Sequence, residues 1–589
     1  MNLGTERHHR KYRDAIANVD LPGCFAMTEL EHGSNVNSLG TQAVFDASTE
    51  EFVITTPSDG ATKWWIGNAA NDGRCATVFA QLTTKGENHG VHAFVVPLRD
   101  EATGNSLLPG VAICDCGVKV GLNGVDNGAI QFSGVRIPRE NLLNRYGDVA
   151  SDGTYSSPIA SPVKRFAVTL GALTGGRVGL SVGSVAVMQL AVTIAIRYAS
   201  MRRQFGGGGS SGQSGSNGGA EEEETLILDY PSHQQKLMPL LATAFAHQIA
   251  ADFLVDRYEY MKQNPGDEAA LAEVHTLSSG LKPVLTWATA SALDVCREAC
   301  GGHGYSAVNR LGELRDDHDI WKTFEGDNTV LLQQVAGELV KQYAKGIAKQ
   351  GVARFYLNKV LDQARGGKTA GKGESDANPA VASRQNLRSS DFHLAAFRQR
   401  EARLLETVAL RLRKHSARLG QFEAWSRCMN HLLKLAKAHT ETVVLERFVM
   451  RVAAVAASGD HVTAGHLKRL CDLYALTRIV QNIGAYRNAH VVSRARAAEI
   501  SHEMERLCQE VRVHALPLLE TFDIPDHIIR APIGLAEPNM QAYLRNVGFE
   551  PKLTSAAGSM TVGDDANGGV GEDAQRVISN GESGLPAMK

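Results

Sequence analysis

The sequence predicts an α+β multidomain chain: an antiparallel β-barrel middle domain followed by a helical bundle and a second C-terminal helical domain. Three observations predict this. Between residues 24 and about 145 the apolar residues fall in short runs rich in β-branched and aromatic side chains. From about 156 they recur at helical spacing over long stretches. A polar, glycine-rich stretch at 366–388 then divides the helical part in two.

The strand-like runs are Thr41-Gln-Ala-Val-Phe45, Glu51-Phe-Val-Ile-Thr55, Ala76-Thr-Val-Phe-Ala-Gln-Leu82, Val91-His-Ala-Phe-Val-Val96 and Ala129-Ile-Gln-Phe-Ser133. Gly, Asn and Asp punctuate them at turn-like intervals, so 21–155 reads as one barrel or sandwich. Helical periodicity through 165–204, 228–262, 268–300 and 328–350 makes 156–352 a bundle. Inside it, 206–224 is Gly- and Ser-rich and ends in glutamates, a composition that buries nothing and reads as a flexible insertion. The linker at 366–388 contains Gly-Gly-Lys-Thr, but the earlier glycine of a phosphate loop falls on Asp362, so that match fails. Amphipathic helices resume over 389–549, and 550–589 has the composition of a disordered tail.

The chain has 589 residues, 43% hydrophobic and 21% charged, with a net charge of -2. No global basic field points to nucleic acid. Nine cysteines are scattered; the close pairs Cys114/Cys116 and Cys296/Cys300 lack zinc-site spacing, so reduced thiols in an intracellular compartment are expected. The polar start carries no secretory pattern, and the end, Pro586-Ala-Met-Lys589, is no Ser-Lys-Leu-type peroxisomal address. Residues 178–196 are uncharged and just long enough to span a bilayer. Their Gly, Ser, Gln and Thr content fits a closely packed bundle helix better, so no membrane span is expected.

One carboxylate stands out. Thr323-Phe-Glu-Gly-Asp-Asn-Thr-Val330 puts Glu325 in a turn just before a helix marked by Leu331, Val335, Leu339, Tyr343 and Ile347. Asp327 or Asn328 is the expected N-cap. A carboxylate beside a helix N-terminus is favoured in its ionised form and can act as a general base. Locally, this is also ordinary capping chemistry.

Four other segments give it a context. They are Cys24-Phe-Ala-Met-Thr-Glu-Leu30, Lys63-Trp-Trp-Ile-Gly-Asn68, Arg197-Tyr-Ala-Ser-Met-Arg-Arg-Gln-Phe-Gly206 and Cys296-Arg-Glu-Ala-Cys-Gly-Gly-His-Gly-Tyr305. A Thr hydroxyl and backbone amides can bond the polar edge of a flat heterocycle, and Trp65 offers an aromatic wall for it. Arg202 or Arg203 can meet a pyrophosphate with a planar fork. Gly301 and Gly302 let backbone approach a ligand. Together and in this order, with Lys119-Val-Gly-Leu-Asn-Gly-Val-Asp-Asn-Gly128 and Arg136-Ile-Pro-Arg-Glu-Asn-Leu-Leu-Asn-Arg145, they resemble the acyl-CoA dehydrogenase and oxidase superfamily. The resemblance runs from about residue 3 to 549 and is closest to plant-type long-chain acyl-CoA oxidases. The second helical domain is a feature of oxidases.

The resemblance implies FAD as cofactor and a fatty acyl-CoA as substrate. Thr28 and Gly67 would bond the flavin, with Trp65 and Ile66 beside the ring. Arg202, helped by Gln234 or Gln235, would reach the FAD of the other subunit of a homodimer. Gly301 and Gly302 would line the adenosine side, and Asp327 would also belong to the cofactor site. Glu325 matches the catalytic base, which takes the α-proton while the flavin accepts the β-hydride. The backbone N–H of Glu325 is the candidate donor to the developing enolate. Molecular oxygen would reoxidise the flavin, giving trans-2-enoyl-CoA and hydrogen peroxide in peroxisomal β-oxidation.

Two rival readings are an acyl-CoA dehydrogenase that uses an electron-transfer partner and an inactive acyl-CoA-binding scaffold. The family carries a helical domain ahead of the Cys24 motif, whereas about twenty residues stand there in this sequence. Residues 1–20 are therefore expected to be a remnant of that domain, with reduced stability or activity as the consequence.

Overall fold

The structure is a computed structural model, and it describes residues 2–100, 106–171, 174–206, 224–350, 387–537 and 543–545. The expected flexible insertion, the 366–388 linker and the 550–589 tail lie almost wholly outside the described residues.

After helix α1 (Glu6–Ala17), the first layer is built from strands β1 (Gly23–Ala26), β2 (Gln42–Asp46), β3 (Glu51–Thr55), β4 (Lys63–Gly67), β5 (Cys75–Thr84), β6 (Glu87–Pro97), β7 (Val111–Asp115), β8 (Asn127–Phe132) and β9 (Val135–Pro138). The larger sheet runs β1-β5-β2-β3-β9, with β6 on the other edge of β5; β4-β8-β7 form a second sheet. Alternate residues of β2 and β3 are buried, as a strand with one face on a core requires. Phe52, Ile54, Val78, Phe94, Ile130 and Phe132 fill the shared core. Phe52 packs against Phe45 and Phe94 with ring centroids 5.0 Å apart.

The ladders are antiparallel apart from β1–β5 and β2–β5, which are parallel. Ten-residue β5 takes both short strands along one edge. Residue alternation could not foretell their direction, because parallel and antiparallel strands bury alternate side chains alike.

A buried ion pair ties this layer together. Lys63 Nζ donates to Glu29 Oε1 at 3.0 Å, to the Met27 carbonyl at 3.0 Å and to the Phe79 carbonyl at 2.7 Å. Glu29 also accepts from the Gly40 and Thr41 amides and the Thr41 hydroxyl. Burial pushes the Glu29 carboxyl up, but the Lys63 charge and these donors outweigh it and hold it below the usual range.

The helical part comprises α2 (Pro162–Leu170), α3 (Thr174–Met201), α4 (Pro231–Gln263), α5 (Glu268–Ala299), α6 (Gly301–Tyr305), α7 (Leu311–Asp319) and α8 (Asn328–Gln350). It continues as α9 (Ser390–Leu419), α10 (Gln421–Ala457), α11 (His461–Gln481), α12 (Ile483–Asn488), α13 (Arg494–Val513), α14 (Ala515–Glu520) and α15 (Asp526–Ile529). Ser161 and Asp267 cap α2 and α5 by accepting from amides of the first turn. The α8 stripe is buried at Leu331, Val335, Leu339 and Tyr343.

By length and composition alone, the stretches Pro162–Met201 and Pro231–Gln263 could cross a membrane. Most of each apolar window is instead buried inside the molecule. The two helical regions share one apolar core, which takes in Ile194, Leu241 and Leu285 from the bundle and Phe397, Val444 and Leu473 from the later helices. Arg197 of α3 adds polar ties, donating to Glu520 at 2.8 Å and to the Gly534 carbonyl at 3.0 Å. The linker composition marks a break in the chain, not in the packing.

Lys63→Met should destabilise the strand layer by about 3–5 kcal/mol, because it strands the buried Glu29 carboxylate. Scanning calorimetry will show this as a lowered first transition.

Candidate active site

The turn before α8 is a strained corner. Glu325 has φ 56° and Gly326 φ 104°. The first is costly for a residue with a side chain, and the second is open essentially to glycine. Asp327 ends the turn, and its Oδ1 accepts from the Thr329 amide at 2.8 Å and the Val330 amide at 3.2 Å. Asp327 is thus the N-cap of α8.

Two buried cations hold the corner. Arg177 Nε of α3 donates to the Glu325 carbonyl at 3.1 Å. Lys282 Nζ of α5 donates to the Gly326 carbonyl at 2.8 Å and to Asn328 Oδ1 at 2.9 Å. Asn328 passes the network on to the Thr286 hydroxyl at 3.0 Å, which donates to the Lys282 carbonyl at 2.8 Å.

The corner aims the Glu325 carboxyl at the backbone of α3. A Cβ built on Gly176 would stand 2.5 Å from the carboxyl carbon. Glu325 Oε2 is buried without a hydrogen-bond partner, and the Glu325 amide donates no hydrogen bond among the described residues. Burial raises the carboxyl above its ordinary value, opposed by the Arg177 and Lys282 charges. The result is a buried carboxyl with a raised affinity for protons, beside an N–H donor that no described residue uses.

Beside this corner, Trp321 lies against Gly183 of α3, and its Nε1 is buried and unpaired. Its ring packs 5.3 Å from that of His318, whose Nε2 lies 3.0 Å from the Ser184 hydroxyl. The strand layer docks here: the Leu122 amide donates to Asp317 Oδ1 at 2.6 Å.

On the strand side, the Thr28 hydroxyl donates to the Trp64 carbonyl at 2.7 Å, which fixes β4 beside the end of β1. The β4–β8 register shifts between Lys63 and Ile66, and Trp65 takes φ 64° at this bulge. The bulge turns the Trp65 ring outward, 55% exposed. A Cβ on Gly67 would meet nothing within 4 Å, so backbone is open to a ligand there. The Ile66 side chain is buried in the strand core, so a place beside the ring would be taken by its backbone. Bulge geometry sets which neighbour faces out, and composition does not encode it.

The remaining expected residues gather at the other end of α3. Arg202 follows its last turn, and the Arg202 carbonyl accepts from the Ile227 amide at 2.9 Å, close to the start of α4. Gly301 and Gly302 have open space where a Cβ would sit. In the same short helix, His303 packs between Tyr198 and Tyr543, with centroids 5.7 and 5.0 Å away, and feels the Arg202 charge. Gln234 is buried with Oε1 unpaired, whereas Gln235 is exposed, so Gln234 is the better placed of the two.

Gly176, Arg177 and Lys282 were not singled out from the sequence. The Gly175-Gly176 pair inside a helical pattern was a usable signal. Lys282 lies in an apolar stretch just before Pro283, which removes a helix hydrogen bond, but nothing local showed what its ammonium would face.

Comparison with known proteins fits this geometry. Residues 170–340 match the acyl-CoA oxidase C-alpha1 domain, 389–540 match the acyl-CoA oxidase domain and 24–135 match the acyl-CoA dehydrogenase middle domain. The chain is 51% identical to peroxisomal acyl-coenzyme A oxidase 2 of Arabidopsis thaliana over 562 residues, covering 93% of this chain and 77% of that protein. The solved acyl-CoA oxidase 1 of Arabidopsis thaliana superposes with a TM-score of 0.80 at 30% identity, covering 94% of this chain and 80% of that one. Acyl-CoA oxidase-1 of Caenorhabditis elegans, solved with FAD and ATP, gives 0.78 at 28% identity, covering 92% and 77%. Likeness of this extent reaches the strand layer and both helical regions, and the chain belongs to the acyl-CoA oxidase family.

Proposed function

We propose that this chain oxidises fatty acyl-CoA thioesters to trans-2-enoyl-CoA with reduction of oxygen to hydrogen peroxide, as in peroxisomal β-oxidation. The observation that carries the reading is the Glu325 corner: a buried carboxyl oxygen that has no partner among the described residues, beside an amide that has no acceptor among them. The match of residues 389–540 to the acyl-CoA oxidase domain favours oxygen over a protein electron acceptor.

The residues present fit FAD: an outward Trp65, open backbone at Gly67 and open backbone at Gly301 and Gly302. When bound, FAD supplies the two-electron oxidation and its return to oxygen. The chain supplies the rest. Glu325 Oε takes the α-proton, and its raised affinity for protons suits that task. The Glu325 amide donates to the thioester oxygen as negative charge builds there. Gly176 leaves room for the carboxyl; any side chain at that position would displace it.

The long helix α3 supports a homodimer. Gly176 and Arg202 are separated by about 40 Å along the axis at 1.5 Å per residue. One reaction centre cannot use both ends of the helix at close range, so Arg202 and Gln234 serve the cofactor of a second subunit.

Glu325→Gln should retain flavin and lower turnover by roughly 10²–10⁴-fold, read as peroxide and enoyl-CoA formation. Survival of turnover would remove Glu325 from the base role. Gly176→Val should keep the fold and lower kcat by about 10²-fold, since a displaced base loses its geometry. Mixed dimers of Arg202→Ala with Glu325→Gln should recover activity above either parent, because one site then keeps both residues; no recovery argues that each chain serves itself.

A further inference from the structure

We infer that Lys282 is a positioning residue for the Glu325 base: its ammonium fixes the corner that carries the base, and its charge favours the ionised carboxyl in a buried site. This rests on Glu325 being the base.

The geometry is specific. Lys282 is buried, yet among the described residues its ammonium donates to neutral acceptors, the Gly326 carbonyl and Asn328 Oδ1. Both belong to residues just after Glu325. A buried lysine without a contact ion pair is costly unless it meets charge nearby. The carboxylates whose charge reaches it are Asp327 and Glu325. The loop Lys282–Asn328–Thr286–Lys282 locks the ammonium against α8, so it cannot swing toward solvent.

The titratable and charged groups around it come from every neighbouring element. Arg177 stands on α3, His318 on α7, and Glu325 and Asp327 on the corner. Burial and the Lys322 charge leave His318 neutral, at about 4. The local charge is therefore two cations against two carboxylates while Glu325 is ionised. When Glu325 takes the α-proton, the C–H electron pair stays with the substrate and becomes enolate charge. The protein side is then left one positive charge in excess, facing that anion. Lys282 thus favours the ionised base before proton transfer and the anionic substrate after it.

Burial lowers the Lys282 ammonium to about 8. Raising the pH through that value removes the charge, while an arginine would keep it.

The test is a pH profile of kcat/KM for wild type, Lys282→Met and Lys282→Arg. In Lys282→Met the acid limb should move up by about half a unit to one unit, because Glu325 loses a neighbouring cation. In Lys282→Arg the basic limb near pH 8 should move to higher pH. A fall by one common factor at all pH values, with both limbs in place, would reduce Lys282 to a packing role and overturn the inference.

A second readout needs no turnover. Ionised Glu325 costs stability above its raised folded value, so Glu325→Gln should gain Tm relative to its parent as pH rises through that value. The gain should be larger in the Lys282→Met background; equal gains in both backgrounds would overturn the inference. Wild-type protein that binds flavin but oxidises no acyl-CoA would instead sink the proposed activity and leave this thermal comparison readable.

Discussion

The corner between the end of α7 and the start of α8 is the constraint on which the site depends. A positive φ at Glu325 and another at Gly326 aim one carboxyl at a bare glycine of α3. Left to itself, such a corner would relax, since a positive φ at Glu325, a residue with a side chain, costs on the order of 1 kcal/mol or more. It is held because its carbonyls are the acceptors that two buried cations require. Strain in the backbone and desolvation of Arg177 and Lys282 are thus satisfied by the same contacts.

The strand layer uses the same device. Lys63 is buried and spends its donors on Glu29 and two carbonyls, just before the bulge that turns Trp65 outward. In both layers a buried lysine sits one or two residues, or one hydrogen bond, from the backbone that must hold an unusual shape. Neutral packing could fill these volumes, but it could not tie down several carbonyls from separate segments at once. The two lysines differ in setting. Lys63 has a carboxylate in contact, whereas Lys282 meets neutral acceptors and feels the Asp327 and Glu325 carboxylates only through their charge.

Helix α3 links the parts. Its early turns carry Gly176 and Arg177 at the Glu325 corner, its middle carries Gly183 and Ser184 against Trp321 and His318, and Arg197 near its end engages α14 and the segment after α15. From Met188 to Ala199 every face is buried, which accounts for its membrane-like composition. Its length also separates the Glu325 end from the Arg202 end, and that separation underlies the proposal of a two-subunit cofactor site.

Much was legible in the linear chain. The period of two in Phe52 and Ile54 and the four-residue recurrence of Leu331, Val335, Leu339 and Tyr343 are local consequences of strand and helix geometry, so they declared the layers directly. Glu325 was legible because a carboxylate, a glycine and an N-cap stand in consecutive order. What the chain alone left undecided concerns partners far apart in sequence. The parallel direction of β1 and β2 on β5, the outward turn of Trp65 beside an inward Ile66, and the meeting of Gly176, Arg177 and Lys282 at one carboxyl each depend on how separate segments approach in space. Local propensity carries no information about such approaches, because burial, register and electrostatic contact exist only once the layers have packed.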